Sequence, residues 1–136
     1  MVVVLIIAIL IAIAIPQFLG ARSRAQDASA KSDLRNGLTA EKTSFTDNQK
    51  YTAVTATLAA IEPSLKWNVA GGPNVAVGDV VAGDSNVVCI NETSKSGTIF
   101  AIYDVAIGAS AGTYYNKGAA CQAAPTPANA TASTGW

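Results

Sequence analysis

The sequence contains no histidine, one methionine and two cysteines among its 136 residues. Histidine is the commonest general base in enzymes and a frequent metal ligand, so its absence removes both roles. The carboxylates are scattered along the chain, and no serine or cysteine stands beside an evident activating group. We therefore expect that the protein is not an enzyme and that it has no catalytic, metal or cofactor site.

The sequence also lacks an excess of either charge, because nine basic residues balance nine acidic ones. A nucleic-acid-binding surface normally shows a basic excess. The composition therefore indicates no nucleic-acid site.

The two cysteines, Cys89 and Cys121, are widely spaced and have no further metal ligands clustered around them. Metal sites need such clusters, so a disulfide is favoured over a metal site, and also over a reactive thiol. A disulfide requires an oxidising compartment outside the cytoplasm. Closing a loop of about thirty residues would add roughly 2–4 kcal/mol to the free energy of unfolding.

Charged and hydrogen-bonding side chains are missing from Met1 to Ile15, and the first charges are Arg22 and Arg24. A helix through Ala21 would rise about 31 Å, close to the roughly 30 Å of a bilayer core. A cleavable signal peptide would begin with positive charge, and a core helix that is apolar all round needs a larger protein around it. We expect this segment to be buried in lipid, in another chain, or in each at different times.

Proline follows the apolar run directly, at position 16. Because proline lacks a backbone N–H and its ring clashes with the preceding turn, the sequence predicts a kink or a locally unwound segment. The residues concerned are Ile11, Ala12, Ile13, Ala14, Ile15 and Pro16.

Helical signals continue beyond the apolar run and predict one helix over residues 1–47. Residues 1–21, here called the apolar segment, form the half that enters lipid or an assembly, and the second half is amphipathic. Asp27 and Lys31 are four residues apart, in the favourable order for an ion pair. Glu41 projects close to the apolar stripe, and we interpret it as a rim residue. The stripe that we expect to pack on a sheet consists of Ala30, Leu34, Leu38 and Phe45.

The remainder of the chain predicts a small head domain. Residues 48–65 form a connection, with a short helix ahead of Pro63. Over residues 66–136, short β-rich runs alternate with glycine turns, which indicates an antiparallel sheet of about four strands. The irregular alternation in the run 98–106 predicts an interior strand. The fold class is therefore α+β, with the helix stripe covering one face of the sheet.

The end of the sequence, residues 122–136, is rich in alanine, proline and threonine and predicts a coil, with Trp136 either free or packed. Asn91 and Asn129 begin triplets that match the N-glycosylation pattern, and Thr131 stands in the second triplet. Such triplets are common by chance, and O-glycosylation of the tail is an equal alternative.

The stretch MVVVLIIAILIAIAIPQFLGARSRAQDASA resembles the N-terminal helix of type IV pilins, the subunits of bacterial type IV pili. The similarity covers Met1 to about Thr52 and includes the Pro-Gln-Phe step after the apolar run. The stretch 94–98 and the late cysteine pair also resemble pilin heads. Pilins carry a glycine cleavage point, a phenylalanine-type residue and a glutamate ahead of the corresponding run. We therefore expect the sequence to begin about six residues inside the mature subunit.

The resemblance implies a pilin fold, in which a long helix carries an antiparallel head with a stapling disulfide. The subunit would wait as a single-pass protein in the cytoplasmic membrane, and assembly machinery would then move it into an extracellular helical homopolymer. The apolar segments of many copies would form the filament core. The residues that we expect in that core are Val4, Ile7, Ile9, Ile11, Ile15, Phe18 and Leu19.

The expected function is that of a structural pilus subunit serving adhesion, surface motility or DNA uptake. Two alternatives remain open. One is a pseudopilin of a type II secretion system, and the other is a membrane-anchored domain that binds a ligand without polymerising.

Overall fold

The computed structural model describes residues 1–68, 75–78, 86–121 and 135–136. Helix α1 spans Val2–Asn48, and it ends where Gln49 adopts a left-handed conformation and donates its backbone N–H to the Phe45 carbonyl. Helix α2 spans Thr55–Ile61. The strands are β1 Trp67–Asn68, β2 Val75–Gly78, β3 Val87–Thr93, β4 Ile99–Val105 and β5 Gly112–Lys117. The predicted α+β arrangement, a long N-terminal apolar helix on a small sheet, is confirmed.

The strands form one sheet in the order β1-β2-β3-β4-β5. The pairs β2–β3, β3–β4 and β4–β5 are antiparallel, as expected. Strand β1 instead runs parallel to β2, with Trp67 opposite Val75, so the prediction of a purely antiparallel sheet is wrong at this edge. A two-residue strand carries no hydrophobic periodicity that could specify its direction. The predicted runs 66–70 and 74–82 extend partly beyond the described residues.

The hydrophobic core lies between α1 and one face of the sheet. Alternation along a strand sends every second side chain to the same face, and the helix-facing positions of β3 and β4 are fully buried. Strand β4 is buried on both faces because it lies between β3 and β5, so it is the predicted interior strand. The helix-facing core residues of the two strands are Val88, Ile90, Phe100 and Ile102.

The stripe on α1 supplies the other half of this core. Ala30, Leu34 and Leu38 are buried there, and Phe45 packs at its margin. Each fully buried large side chain stabilises the fold by roughly 1.5–3 kcal/mol. The stripe therefore fixes the head to the second half of α1, and the large apolar side chains of the apolar segment stay exposed.

Residues 11–16 are helical, so an unwound turn over Ile11, Ala12, Ile13, Ala14, Ile15 and Pro16 is wrong for this structure. Pro16 removes only the hydrogen bond that its own N–H would donate to the carbonyl of Ala12. The neighbouring hydrogen bonds are sufficient to keep the turn helical. A bend within the continuous helix stays a prediction.

Candidate assembly surface

The apolar segment is open to solvent on every side of the helix. The exposed fraction of its large apolar side chains is at least 50%, the value for Ile7. Within the part of the chain that the structure describes, α1 is the one helix long and apolar enough to cross a membrane by length and composition. This surface is therefore compatible with membrane anchoring.

All seven side chains that we expect in a filament core lie on this exposed surface. Four of them, together with Ala14, line a shallow apolar concavity of about 320 Å³ beside the helix. These positions follow the spacing of one helix face. A neighbouring apolar side chain would fit into such a concavity. The four are Ile11, Ile15, Phe18 and Leu19.

A buried polar network joins the C-terminal end of α1 to the sheet around Asp104. The hydroxyls of Tyr51 and Thr113 donate to the Asp104 carboxylate, and Lys42 Nζ lies 3.1 Å from Asp104 Oδ1. Burial, followed by the hydrogen bond to Asp104, raises the pKa of Tyr51 above its usual value. The network fixes the connection after α1 to β4 and β5.

Glu41 is fully buried, so its interpretation as a rim residue is wrong. Its Oε2 accepts a hydrogen bond from the backbone N–H of Thr52 at 3.2 Å, and its Oε1 has no hydrogen-bond partner. Burial raises the pKa of Glu41 to about 7, which the Thr52 hydrogen bond opposes. The chain after α1 folds back over this position, and helical periodicity alone does not predict such a cover.

Asp27 and Lys31 do not form the expected ion pair, because each side chain contacts a residue of the head instead. The Ser96 hydroxyl in the β3–β4 turn donates to Asp27 and, as the largest cause, lowers the pKa of that carboxyl. Lys31 Nζ lies 5.0 Å from the centre of the Phe100 ring, a cation–π distance. Tertiary contacts thus replace the ion pair expected along the helix.

A groove of about 710 Å³ opens between α1, the α2–β1 connection and the end of β3. Asp33 and Glu92 line it. Glu92 is 6% exposed, and its Oε2 has no hydrogen-bond partner. Burial, reinforced by the nearby negative charge of Asp33, raises the pKa of Glu92 to about 7. Glu92 continues the helix-facing alternation of Val88 and Ile90, and this spacing is the signal in the sequence that could have indicated its burial.

Trp136 packs against the head, which decides between the two options left open for it. Its ring meets Phe100 and Tyr115 edge-on, at centroid distances of 5.6 and 4.9 Å. Its indole N–H donates to the Asn116 carbonyl at 2.7 Å. The Arg35 guanidinium lies 5.6 Å from the ring centre and ties this cluster to α1. Residues 122–134 of the predicted coil lie outside the described residues.

The predicted disulfide between Cys89 and Cys121 is present. Cys89 lies on the face of the sheet away from α1, where it packs with Ala101 and Tyr103. The bridge therefore closes a second, smaller apolar cluster. It covers a face of the sheet that α1 cannot reach.

Asn91 is a poor glycosylation acceptor in the folded chain, because it is 9% exposed and lies in the middle of the sheet within β3. A glycan needs an exposed loop. Asn129 and Thr131 lie outside the described residues. No group of three or more potential metal ligands occurs among the residues that the structure describes.

The sequence matches no protein-family model, and a search of curated proteins finds no match either. The architecture of a long apolar helix, a small sheet and a disulfide is consistent with a pilin-like subunit.

Proposed function

We propose that this protein is a filament subunit of the type IV pilin class that polymerises through its apolar segment. The observation that carries the proposal is the exposure of every large apolar side chain of that segment beside a well-packed head. Before assembly, the same segment would anchor the subunit in the cytoplasmic membrane. The filament would lie outside the cell, where the disulfide is stable.

The energetics favour two environments for the apolar segment and disfavour water. Removing about 1,500 Å² of apolar surface from water, at about 25 cal/mol per Å², is favourable by several tens of kcal/mol as an upper bound. Lipid and packed apolar helices are similar solvents, so transfer from one to the other changes the free energy little. The subunit can therefore move between membrane and filament, with assembly machinery setting the direction.

The uniform apolar surface also explains why a filament is expected rather than a closed pair. The segment has no glycine-based small-xxx-small face that would select a single partner. Contacts between different faces of successive copies do not close on themselves and build helical filaments. Adhesion, surface motility or DNA uptake would then be the role of the assembled fibre.

A single charged residue in the apolar segment tests the proposal. We expect the full chain to form long fibres by electron microscopy when detergent is removed, and I9K to form none, because a lysine in an apolar core lacks solvation. The matched control is V54K, which adds the same charge at an exposed apolar residue outside the segment. It should polymerise as the unmodified chain does.

The same experiment also distinguishes a filament subunit from a membrane-anchored domain that does not polymerise. A full chain that inserts into liposomes and stays dispersed there, without fibres under any detergent-free condition, would favour an anchored binding domain. Fibres formed by a chain lacking residues 1–21 would refute assembly through the apolar segment.

A further inference from the structure

The groove beside α1 carries more positive than negative charge. Three cations line it, together with the carboxyl groups of Asp33 and Glu92. Among the residues that the structure describes, the ion pair present is that of Lys42 with Asp104, so the groove cations are not paired with carboxylates there. Such a surface attracts an anion more strongly than a cation. The three cations are Arg22, Lys66 and Lys95.

The groove also contains a buried carboxyl group that lacks a partner. Glu92 is 6% exposed, and its Oε2 has no hydrogen-bond partner. Burial and the nearby charge of Asp33 raise the pKa of Glu92 to about 7, so both protonation states are present near neutral pH. A hydroxyl satisfies both states, because it donates to the carboxylate and accepts from the protonated acid, whereas a cation only donates. This carboxyl group therefore favours a ligand that carries hydroxyls.

The cations and the carboxyl groups lie toward different ends of the groove. Arg22 directly follows the apolar segment. Lys95 belongs to the β3–β4 turn, which reaches α1 where the Ser96 hydroxyl donates to Asp27. Asp33 is six residues beyond Asp27, which corresponds to about 9 Å along the helix axis. That separation is comparable with the length of a six-carbon polyol that carries a phosphate at one end.

We propose that the groove binds a phosphorylated polyol, with its phosphate between Arg22 and Lys95 and its hydroxyls on Asp33 and Glu92. The Arg22 guanidinium can donate two hydrogen bonds to one phosphate, and the lysine ammonium groups supply further positive charge. This binding site goes beyond the proposed function and does not depend on filament formation.

Two sources offer the same chemistry. One is a free sugar phosphate, and the other is the head group of a phospholipid such as phosphatidylinositol. In a membrane-anchored subunit, the Arg22 end of the groove lies at the bilayer surface, because Arg22 is the first charged residue after the apolar segment. The experiment below therefore includes one arm for each source.

Calorimetric titration of the full chain tests the proposal, in a polyoxyethylene detergent that carries neither phosphate nor sugar. The probes are inositol monophosphate, inorganic phosphate and inositol. Inositol monophosphate should bind at least about tenfold more tightly than either of the others, because it alone contacts both ends of the groove.

Neutral variants of two cations test the phosphate end of the groove. R22Q and K95Q should each weaken binding of inositol monophosphate about fivefold, since each removes a charged hydrogen-bond donor. The matched control for R22Q is R24Q, which removes the same charge about 200° further round the helix. The control for K95Q is K50Q, because Lys50 is exposed outside the groove. Both controls should change the affinity by less than about twofold.

Variants of Glu92 separate hydroxyl binding from simple electrostatics. E92A should weaken binding of inositol monophosphate about fivefold, yet it should leave inorganic phosphate unchanged or slightly tighter because it removes negative charge. Retained phosphate binding also shows that the groove of this variant is folded. E92Q should restore the affinity for inositol monophosphate, since an amide both donates and accepts hydrogen bonds.

The proposal is overturned if inositol monophosphate binds no more tightly than phosphate, or if R24Q weakens its binding as much as R22Q does. It is also overturned if E92A strengthens the binding of inositol monophosphate. Fibre formation is measured separately, so the failure of this site leaves the proposed function intact, and the reverse holds as well.

Nanodiscs distinguish the two sources of the ligand. If the source is a lipid, phosphatidylinositol in the disc should occupy the groove and lower the affinity for free inositol monophosphate. Phosphatidylserine, which carries the same charge, is the control for repulsion by the membrane surface. Equal affinities in the two kinds of disc would identify a free ligand.

Discussion

Replacing Glu41 by glutamine removes a fully buried carboxyl group at the C-terminal end of α1. In the folded chain, burial raises the pKa of Glu41 from its ordinary value of 4.5 to about 7. The folded state therefore holds the proton more tightly than the unfolded state. The stability that results is fully present below about pH 4.5 and is lost as the pH rises through about 7.

The size of the effect follows from the two pKa values. A shift from 4.5 to about 7 corresponds to roughly 3 kcal/mol when the carboxylate is fully ionised in both states. Part of this is already lost by about pH 5, so the free energy of unfolding should fall by roughly 2–3 kcal/mol between about pH 5 and pH 8.5. E41Q has no proton to release and should lack this component.

The assay is urea unfolding of the full chain in a non-ionic detergent, followed by the fluorescence of Trp67 and Trp136. The measured quantity is the difference in unfolding free energy between E41Q and the unmodified chain at the two pH values. D47N is the control, because it removes one carboxylate that is exposed in the folded chain. E92Q measures how much the second buried glutamate contributes to the unfolding free energy at the same two pH values.

Equal pH dependence of E41Q and the unmodified chain would refute the reasoning. Glu41 would then be ionised and solvated in the folded state, which requires water to reach Oε1. The sequence contains no histidine, so no imidazole titration contributes to the change in unfolding free energy between about pH 5 and pH 8.5.

Further predictions concern the head. Removing the disulfide as C89A/C121A should lower the free energy of unfolding by roughly 2–4 kcal/mol, measured by urea unfolding, and reducing agent should destabilise the unmodified chain but not the variant. W136A should cost about 2–3 kcal/mol because it loses both ring contacts, whereas W136F should cost about 1 kcal/mol through loss of the hydrogen bond to Asn116. A W136A chain as stable as W136F would contradict the packing of this ring. The I9K and V54K pair, described above, tests the assembly surface.

The fold could be predicted from the sequence where strong periodicity dictates it. The apolar segment and the stripe of Ala30, Leu34 and Leu38 are regular patterns over many turns, and the structure follows them. Strand β4 was predictable as interior because both of its faces are apolar. These features depend on local spacing alone.

The errors occur where distant parts of the chain meet. Glu41 is buried by the chain after α1, and Asp27 accepts a hydrogen bond from a turn about seventy residues away. Asn91 matches a modification pattern, but pairing within the sheet buries it. Strand β1 is too short for its pattern to define a direction. Such contacts depend on tertiary geometry, which periodicity does not encode.

The disulfide has a mechanical consequence. Cys89 lies within β3 and Cys121 follows β5, so the covalent loop between them contains the rest of β3 and all of β4 and β5. When force is applied to the two ends of the chain, the disulfide carries it and this loop is not stretched. The disulfide spans a sequence separation of 32 residues, so it prevents about 110 Å of chain from extending. Under tension, β4, β5 and the part of β3 after Cys89 are shielded from stretching while the bridge remains intact.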